Sequence, residues 1–115
     1  RLVGNLGLDT FVFDTALNGT TNVDRITDFS VADDTIHLDH AIFSGSGLAT
    51  GALSSAAFRS GAGVTTAGDA TDRIIYDTGS GNLYYDADGA GGAAAIQFAT
   101  LDNKALLTAA DFFIV

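Results

Sequence analysis

The chain of 115 residues has no cysteine, no glutamate and a single lysine. Without cysteine, neither a disulfide framework nor a thiolate metal site is possible. Without glutamate and with one lysine, it lacks the side chains that long amphipathic helices carry on their wet faces, which argues against a core of such helices. Positive charge is scarce as well. Five Lys and Arg oppose fourteen acids, all of them Asp, for a formal charge of −9 and a pI near 4.1. That balance argues against nucleic acid, whose phosphates need Lys and Arg to displace counterions. It argues equally against an anionic membrane surface. No apolar run reaches the length of a membrane-spanning helix. Disorder is excluded by content: 47% of residues are hydrophobic and only 17% charged. The sequence opens at Arg1 without Met or a charged-then-apolar leader, and is expected to be the end of a longer protein. What is present is enough chain for one domain, rich in a residue that favours turns and is a hard oxygen ligand. The expectation is a turn-rich acidic domain that binds cations.

The first segment, Gly4-Asn5-Leu6-Gly7-Leu8-Asp9-Thr10-Phe11, matches the calcium-binding nonapeptide G-G-x-G-x-D-x-U-x, with Asn5 replacing the second Gly. Asn tolerates left-handed backbone angles, so the change is mild. The glycine-rich half makes a tight turn with inward carbonyls, Asp9 ends it with a carboxylate, and Phe11 faces the interior of a short strand. Each ion sits between neighbouring turns, so one copy supplies half a shell. Asp24 stands two before Ile26, and Asp34 two before Ile36, repeating the spacing of Asp9 and Phe11. These read as degenerate rungs in the ligand register, or as Asp residues that end a turn before a strand.

Further along, two short helices are expected, His40 to Phe43 and Ser54 to Phe58, with Ser54 or Ser55 capping the second. Residues 60–70 have loop composition. Asp72 to Asp77 and Asn82 to Asp86 read as a β-hairpin around Thr78-Gly79-Ser80-Gly81, whose glycines supply positive φ. Ala93 to Ala99 reads as a third strand, Thr108 as a cap on one helical turn, and the final four residues as an apolar strand.

These segments carry a family likeness. GNLGLDTFVF, DRITDF with DDTIHLDHAIF, RIIYDTGSGNLYYDADG with AIQFATL, and the closing LTAADFFIV together resemble the C-terminal region of repeats-in-toxin (RTX) proteins. These are the hemolysin-type calcium-binding family, and the likeness is to tails of the serralysin type. The resemblance implies an all-β fold: the end of a parallel calcium β-roll over 1–38, leading into a small β-sandwich-like cap over 39–115 with short helical turns. It implies Ca2+ held by Gly4, Asn5, Gly7 and Asp9, and by Asp24. It also implies secretion to the outside of a Gram-negative cell through the type I apparatus of ABC transporter, membrane-fusion protein and outer-membrane channel. Asp111-Phe112-Phe113-Ile114-Val115 is similar to the export signal of that family. Only one full nonapeptide is present, so complete roll sites draw on repeats upstream of Arg1.

Other chemistry is sparse. Asp86-Ala87-Asp88-Gly89 opens like an EF-hand loop but lacks the third acid and the twelfth-position ligand, leaving Asp86 and Asp88 as weaker metal candidates beside Asp34. His37 and His40 are the only histidines, and their spacing is no zinc motif. No Ser lies in a G-x-S-x-G elbow, and no glycine loop carries the Lys of a phosphate site. Catalysis is not expected in this segment. The expected role is a noncatalytic calcium-binding, folding-cap and secretion-targeting module. The alternative is an extracellular carbohydrate- or surface-binding module with structural calcium, for which an exposed row of Tyr76, Tyr84 or Tyr85 would speak; buried tyrosines favour the cap.

Overall fold

A computed structural model of the chain describes residues 9–13, 23–31, 33–43, 50–69, 71–87 and 95–115. The protein is all-β in these residues: nine strands, two isolated 3-10 turns and no α-helix. The strands are β1 (Thr10–Phe13), β2 (Asp24–Ile26), β3 (Thr35–Leu38), β4 (Gly51–Ala52), β5 (Phe58–Gly61), β6 (Ile74–Asp77), β7 (Asn82–Tyr85), β8 (Ile96–Leu101) and β9 (Phe112–Ile114). They form a four-stranded sheet in the order β1-β3-β9-β4 and a five-stranded sheet in the order β2-β8-β7-β6-β5.

Alternation in the sequence decides which face each residue takes. In β1, Phe11 and Phe13 are buried while Thr10 and Val12 are exposed. In β3, Ile36 and Leu38 turn inward, and in β9 Phe112 and Ile114 do the same. Apolar faces of both sheets meet in one core cluster. Phe13 of β1 meets Phe98 of β8 edge-on with centroids 5.2 Å apart, and Phe58 of β5 lies 5.3 Å from Phe112 of β9. Fully burying a side chain of this kind contributes about 1.5–3 kcal/mol, so these cross-sheet aromatics are the main cement of the sandwich.

Successive strands at the amino end change sheets. β1 lies in the first sheet, β2 in the second and β3 back in the first, parallel to β1 with Phe11 beside Ile36. Later strands complete both sheets. β2 pairs in parallel with β8, β3 in parallel with β9, and β6 and β7 form the antiparallel hairpin. Pairing thus crosses the boundary expected at residue 38, and strands from both sides share the core.

Several local expectations are corrected. Residues 40–43 make one turn instead of a helix: Asp39 caps it through Ala41 N–H to Oδ1 (2.9 Å), and Phe43 N–H donates to Asp39 O (2.8 Å). The second helix shrinks to a 3-10 turn over Ser55–Ala57, capped by Ser54, because Phe58 is drawn into β5 by its inward packing. Ser60 and Gly61, read as loop, end that strand. Among the described residues the third strand runs from Ile96 to Leu101, two residues past its expected end, while Ala93 and Ala94 lie outside the described residues. In the hairpin turn Gly81 alone has positive φ (+83°), and a Cβ there would collide with Leu101 O, so the close approach of β8 requires glycine. The turn expected at Thr108 is the second 3-10 turn, Ala109–Asp111, and it feeds β9 directly. Among the described residues no helix is long and apolar enough to cross a membrane.

Candidate metal site

The register that brought Asp9, Asp24 and Asp34 forward has a structural meaning. Each lies two residues before an inward apolar side chain, Phe11, Ile26 or Ile36. Strand alternation therefore sets all three carboxylates on the inward side at the start of β1, β2 and β3. Two of them come together. Parallel pairing of β1 with β3 starts at Thr10 beside Thr35, and Thr35 N–H donates to Asp9 O at 2.9 Å. Asp34, buried, accepts from Asp9 N–H through Oδ1 (3.0 Å) and from Ser30 N–H through Oδ2 (2.8 Å). It closes the 30–34 turn, whose Asp34 N–H also donates to Ser30 O at 2.8 Å. Asp24 stands apart, half-buried at the start of β2 in the other sheet and opposite Ala99 of β8.

Asp9 differs from Asp34 in one respect. Its Oδ2 is buried and has no hydrogen-bond partner among the described residues. A buried carboxylate oxygen left without a partner is costly, and a cation is one of the few things that compensates it. The donor chemistry fits a hard divalent ion, which takes oxygen ligands, six to eight in the case of calcium. Asp9 provides one such oxygen. The remaining expected ligands of that turn, Gly4, Asn5 and Gly7, lie outside the described residues, as does Asp88. Among the described residues no group of three or more His and Asp side chains converges as a metal-holding cluster.

The weaker candidates have other surroundings. Asp86 is buried just beyond β7, and its N–H donates to Arg73 O at 2.8 Å. His37 is half-buried on β3, where its ring meets Phe113 at 6.0 Å, and His40 is exposed. The five residues expected to signal export are part of the fold. Asp111 is buried and accepts from Thr108 N–H through Oδ2 at 2.8 Å, while Asp111 N–H returns to Thr108 O at 3.0 Å. Phe112 is fully buried and Ile114 nearly so; Phe113 and Val115 point outward.

The tyrosines whose exposure would speak for a binding face are mostly inside. Tyr76 and Tyr85 belong to the core, and Tyr84 is half-buried with its hydroxyl accepting from Asn82 Nδ2 at 3.3 Å. The Tyr76 hydroxyl donates to Ala105 O at 2.6 Å. Burial pushes its pKa up to about 12, with the charge of Asp77 adding to the effect.

Sequence reasoning missed the carboxylates that do most of the local work. Asp77 Oδ1 accepts from Gly63 N–H (2.8 Å) and Gly79 N–H (2.9 Å), and Oδ2 accepts from the Ser80 hydroxyl (2.8 Å). Those bonds, that from Gly63 foremost, hold its pKa below the ordinary carboxylate value. The signal was available in part: Asp-Thr-Gly-Ser is an Asp two residues before a Gly, the pattern of an Asx-turn. Its bond to Gly63, fourteen residues earlier, had no local sign.

Comparison of the chain with protein-family models, with curated proteins and with solved structures yields no match.

Proposed function

We propose that this chain is a noncatalytic calcium-binding and folding-cap module, carrying a type I secretion signal, at the carboxyl end of a larger exported RTX-type protein. The observation that carries the reading is Asp9. It occupies the Asp position of the nonapeptide, at the inward start of β1, with a buried Oδ2 lacking a hydrogen-bond partner among the described residues. The alternation of β1, β2 and β3 between two sheets, with β1 and β3 parallel neighbours, supports the end of a β-roll. The mixed strands from β4 to β9 support the cap. Burial of Tyr76 and Tyr85 favours a cap over a carbohydrate-binding face.

In this reading Asp9 and the Gly4-Asn5-Gly7 turn hold Ca2+ together with turns of preceding repeats, with Asp24 serving the opposite row. Calcium supplies charge neutralisation. Where it is scarce, repulsion within a chain of net charge −9 opposes compaction and keeps it threadable. Where it is abundant, binding to the folded form alone stabilises that form by mass action, about 2.7 kcal/mol at a hundred times the dissociation constant.

Two experiments test the two halves. Circular dichroism and thermal melting of the protein with its preceding repeats, in calcium and in chelator, are expected to show folding and a raised Tm with calcium. An unchanged melting curve overturns the calcium role. For export, Phe113 is the informative residue because its side chain points outward, 38% exposed. Phe113→Asp is expected to abolish secretion while synthesis continues and the fold survives; normal secretion of that variant overturns the signal. Phe112→Asp does not discriminate, since it places a charge in the core.

A further inference from the structure

The outward face of β6 is covered. Ile74 and Tyr76 point into the core, so Arg73, Ile75 and Asp77 point away from it, yet all three are buried and Ile75 is fully so. Ile75 lies outside the core cluster. The chain that runs from β5 to its parallel neighbour β6 lies against Arg59, which stands opposite Ile75 on this face, and against Asp77. Val64 Cγ2 lies 2.9 Å from where a Cβ on Gly61 would stand, and the guanidinium of Arg59, opposite Ile75 on β5, reaches Thr66 O (3.2 Å) and packs on Gly68. Carboxylates tie the segment down. Asp77 takes the Gly63 N–H at 2.8 Å; Asp72 takes the N–H groups of Gly68 (2.8 Å) and Asp69 (3.2 Å). Asp69 Oδ1 in turn accepts from the Thr71 hydroxyl (2.8 Å), Thr71 N–H (2.9 Å) and Asp72 N–H (3.1 Å), and the Thr71 hydroxyl reaches Ala56 O at 3.0 Å.

We propose that residues 62–69 are a strap latched by carboxylates across the outward face of β6, and that acid releases it to bare Ile75 while both sheets stay closed. The geometry separates strap from sandwich. The strap's bonds named above run to Asp77, Thr71, Asp72 and Arg59, and none of them joins it to β3, β8 or β9; the Thr71 hydroxyl in turn reaches Ala56 O. The charged and titratable groups around the latch are Arg59 on β5, Arg73 and Tyr76 on and beside β6, Asp86 beyond β7, and Lys104 against the hairpin turn at Gly81. Arg59 keeps its charge at every working pH. Asp77 and Asp69 are therefore the groups on which the acid response rests. The bond from Gly63 holds Asp77 below its ordinary range, and the Thr71 hydroxyl does the same for Asp69. A depressed pKa in the latched form means that the latch is complete above the ordinary carboxylate pKa. It is lost as pH falls through the lowered value.

Amide hydrogen exchange followed by NMR tests this on the intact chain. In the native protein, opening measured at Gly63 and Gly68, corrected for intrinsic rates, is expected to rise on moving from neutral pH to about pH 3. At pH 3 the rise is at most about sevenfold for each carboxylate, because pH 3 lies less than one unit below the ordinary value of 3.8, and it grows further only as pH falls toward the closed-form pKa. Protection at Leu38 and Leu101, in β3 and β8, is expected to stay. Asp77→Asn is expected to open the strap at neutral pH and flatten its acid response. Gly61→Ala, which presses on Val64 without touching charge, is expected to speed exchange equally at both pH values. Exchange of Gly63 and Gly68 that always tracks Leu38 and Leu101, or that ignores pH in the native protein, overturns the proposal.

Discussion

The strands at the amino end and the hairpin region spend the same residue type differently. In the hairpin region, Asp69, Asp72 and Asp77 accept from backbone N–H groups and hydroxyls within a few residues or across one neighbouring turn. At the start of β1 and β3, Asp34 does likewise for Asp9 and Ser30, but Asp9 keeps a buried oxygen without a hydrogen-bond partner among the described residues. The strands differ in the same way. β6 and β7 find each other across a four-residue turn, whereas β2 and β3 pair with β8 and β9 from the far end of the chain. One region closes on itself through turn chemistry. The other is held by distant apolar partners and has a carboxylate to spare. An acidic composition is therefore no count of ligands; what matters is which oxygens remain after the turns have been built.

The contrast can be broken most severely at Phe112. It is fully buried, flanked by Ile36 and in tilted contact with the Phe58 ring. Phe112→Ala is expected to cost about 3–5 kcal/mol in urea unfolding, with β1 and β3 losing hydrogen-exchange protection before the β6–β7 hairpin does. Equal loss in both would show that the hairpin has no local stability of its own. A middle effect is expected at Tyr76, the hairpin's bond to the segment before β9. Tyr76→Phe leaves Ala105 O without that donor and should cost about 1 kcal/mol. It also changes the alkaline limit. The phenol's pKa is raised in the fold to about 12, so the native state keeps that stability below pH 10, the unfolded value, and loses it as pH climbs toward 12. The Phe variant should lack this limb in a pH series of melting curves. The smallest change in stability is expected at Asp9. Asp9→Asn, measured in chelator, should move stability by no more than about 0.5 kcal/mol, because it discharges a buried oxygen that lacks a donor. The same variant should erase the response to calcium. A large loss in chelator would mean that Asp9 is a turn residue like Asp77.

The all-β class was legible because Ile36 and Leu38 alternate with Thr35 and His37, and because Thr-Gly-Ser-Gly separates two runs rich in Tyr and branched aliphatics. The Asp9, Asp24 and Asp34 register was legible for the same reason: an interval of two fixes a shared face. Partner choice was not. Nothing local tells Asp24 that it will stand opposite Ala99, or Ile36 that Phe112 will cover its flank, since both depend on burial shared by the whole core. Short helices failed where a single aromatic mattered more than propensity, as when Phe58 left its expected helix for β5 to pack against Phe112. The strap over Ile75 was hidden too, because a stretch rich in Gly, Ala and Thr says nothing of Asp72 and Asp77 beyond it, whose carboxylates hold it down.

The position of β9 has a consequence for how the chain comes into being. β9 lies between β3 and β4 and gives the first sheet its middle. A ribosome delivers Ile36 first and Phe112 roughly 75 residues later, which at about 5–20 residues per second is a wait of some 4–15 s. During that interval β1 and β3 have only each other within their sheet, and the edge of β3 that β9 will pair with is open. The nascent chain is thus half a sheet waiting for its keystone, and its native form is available only once residues 112–114 are free to move.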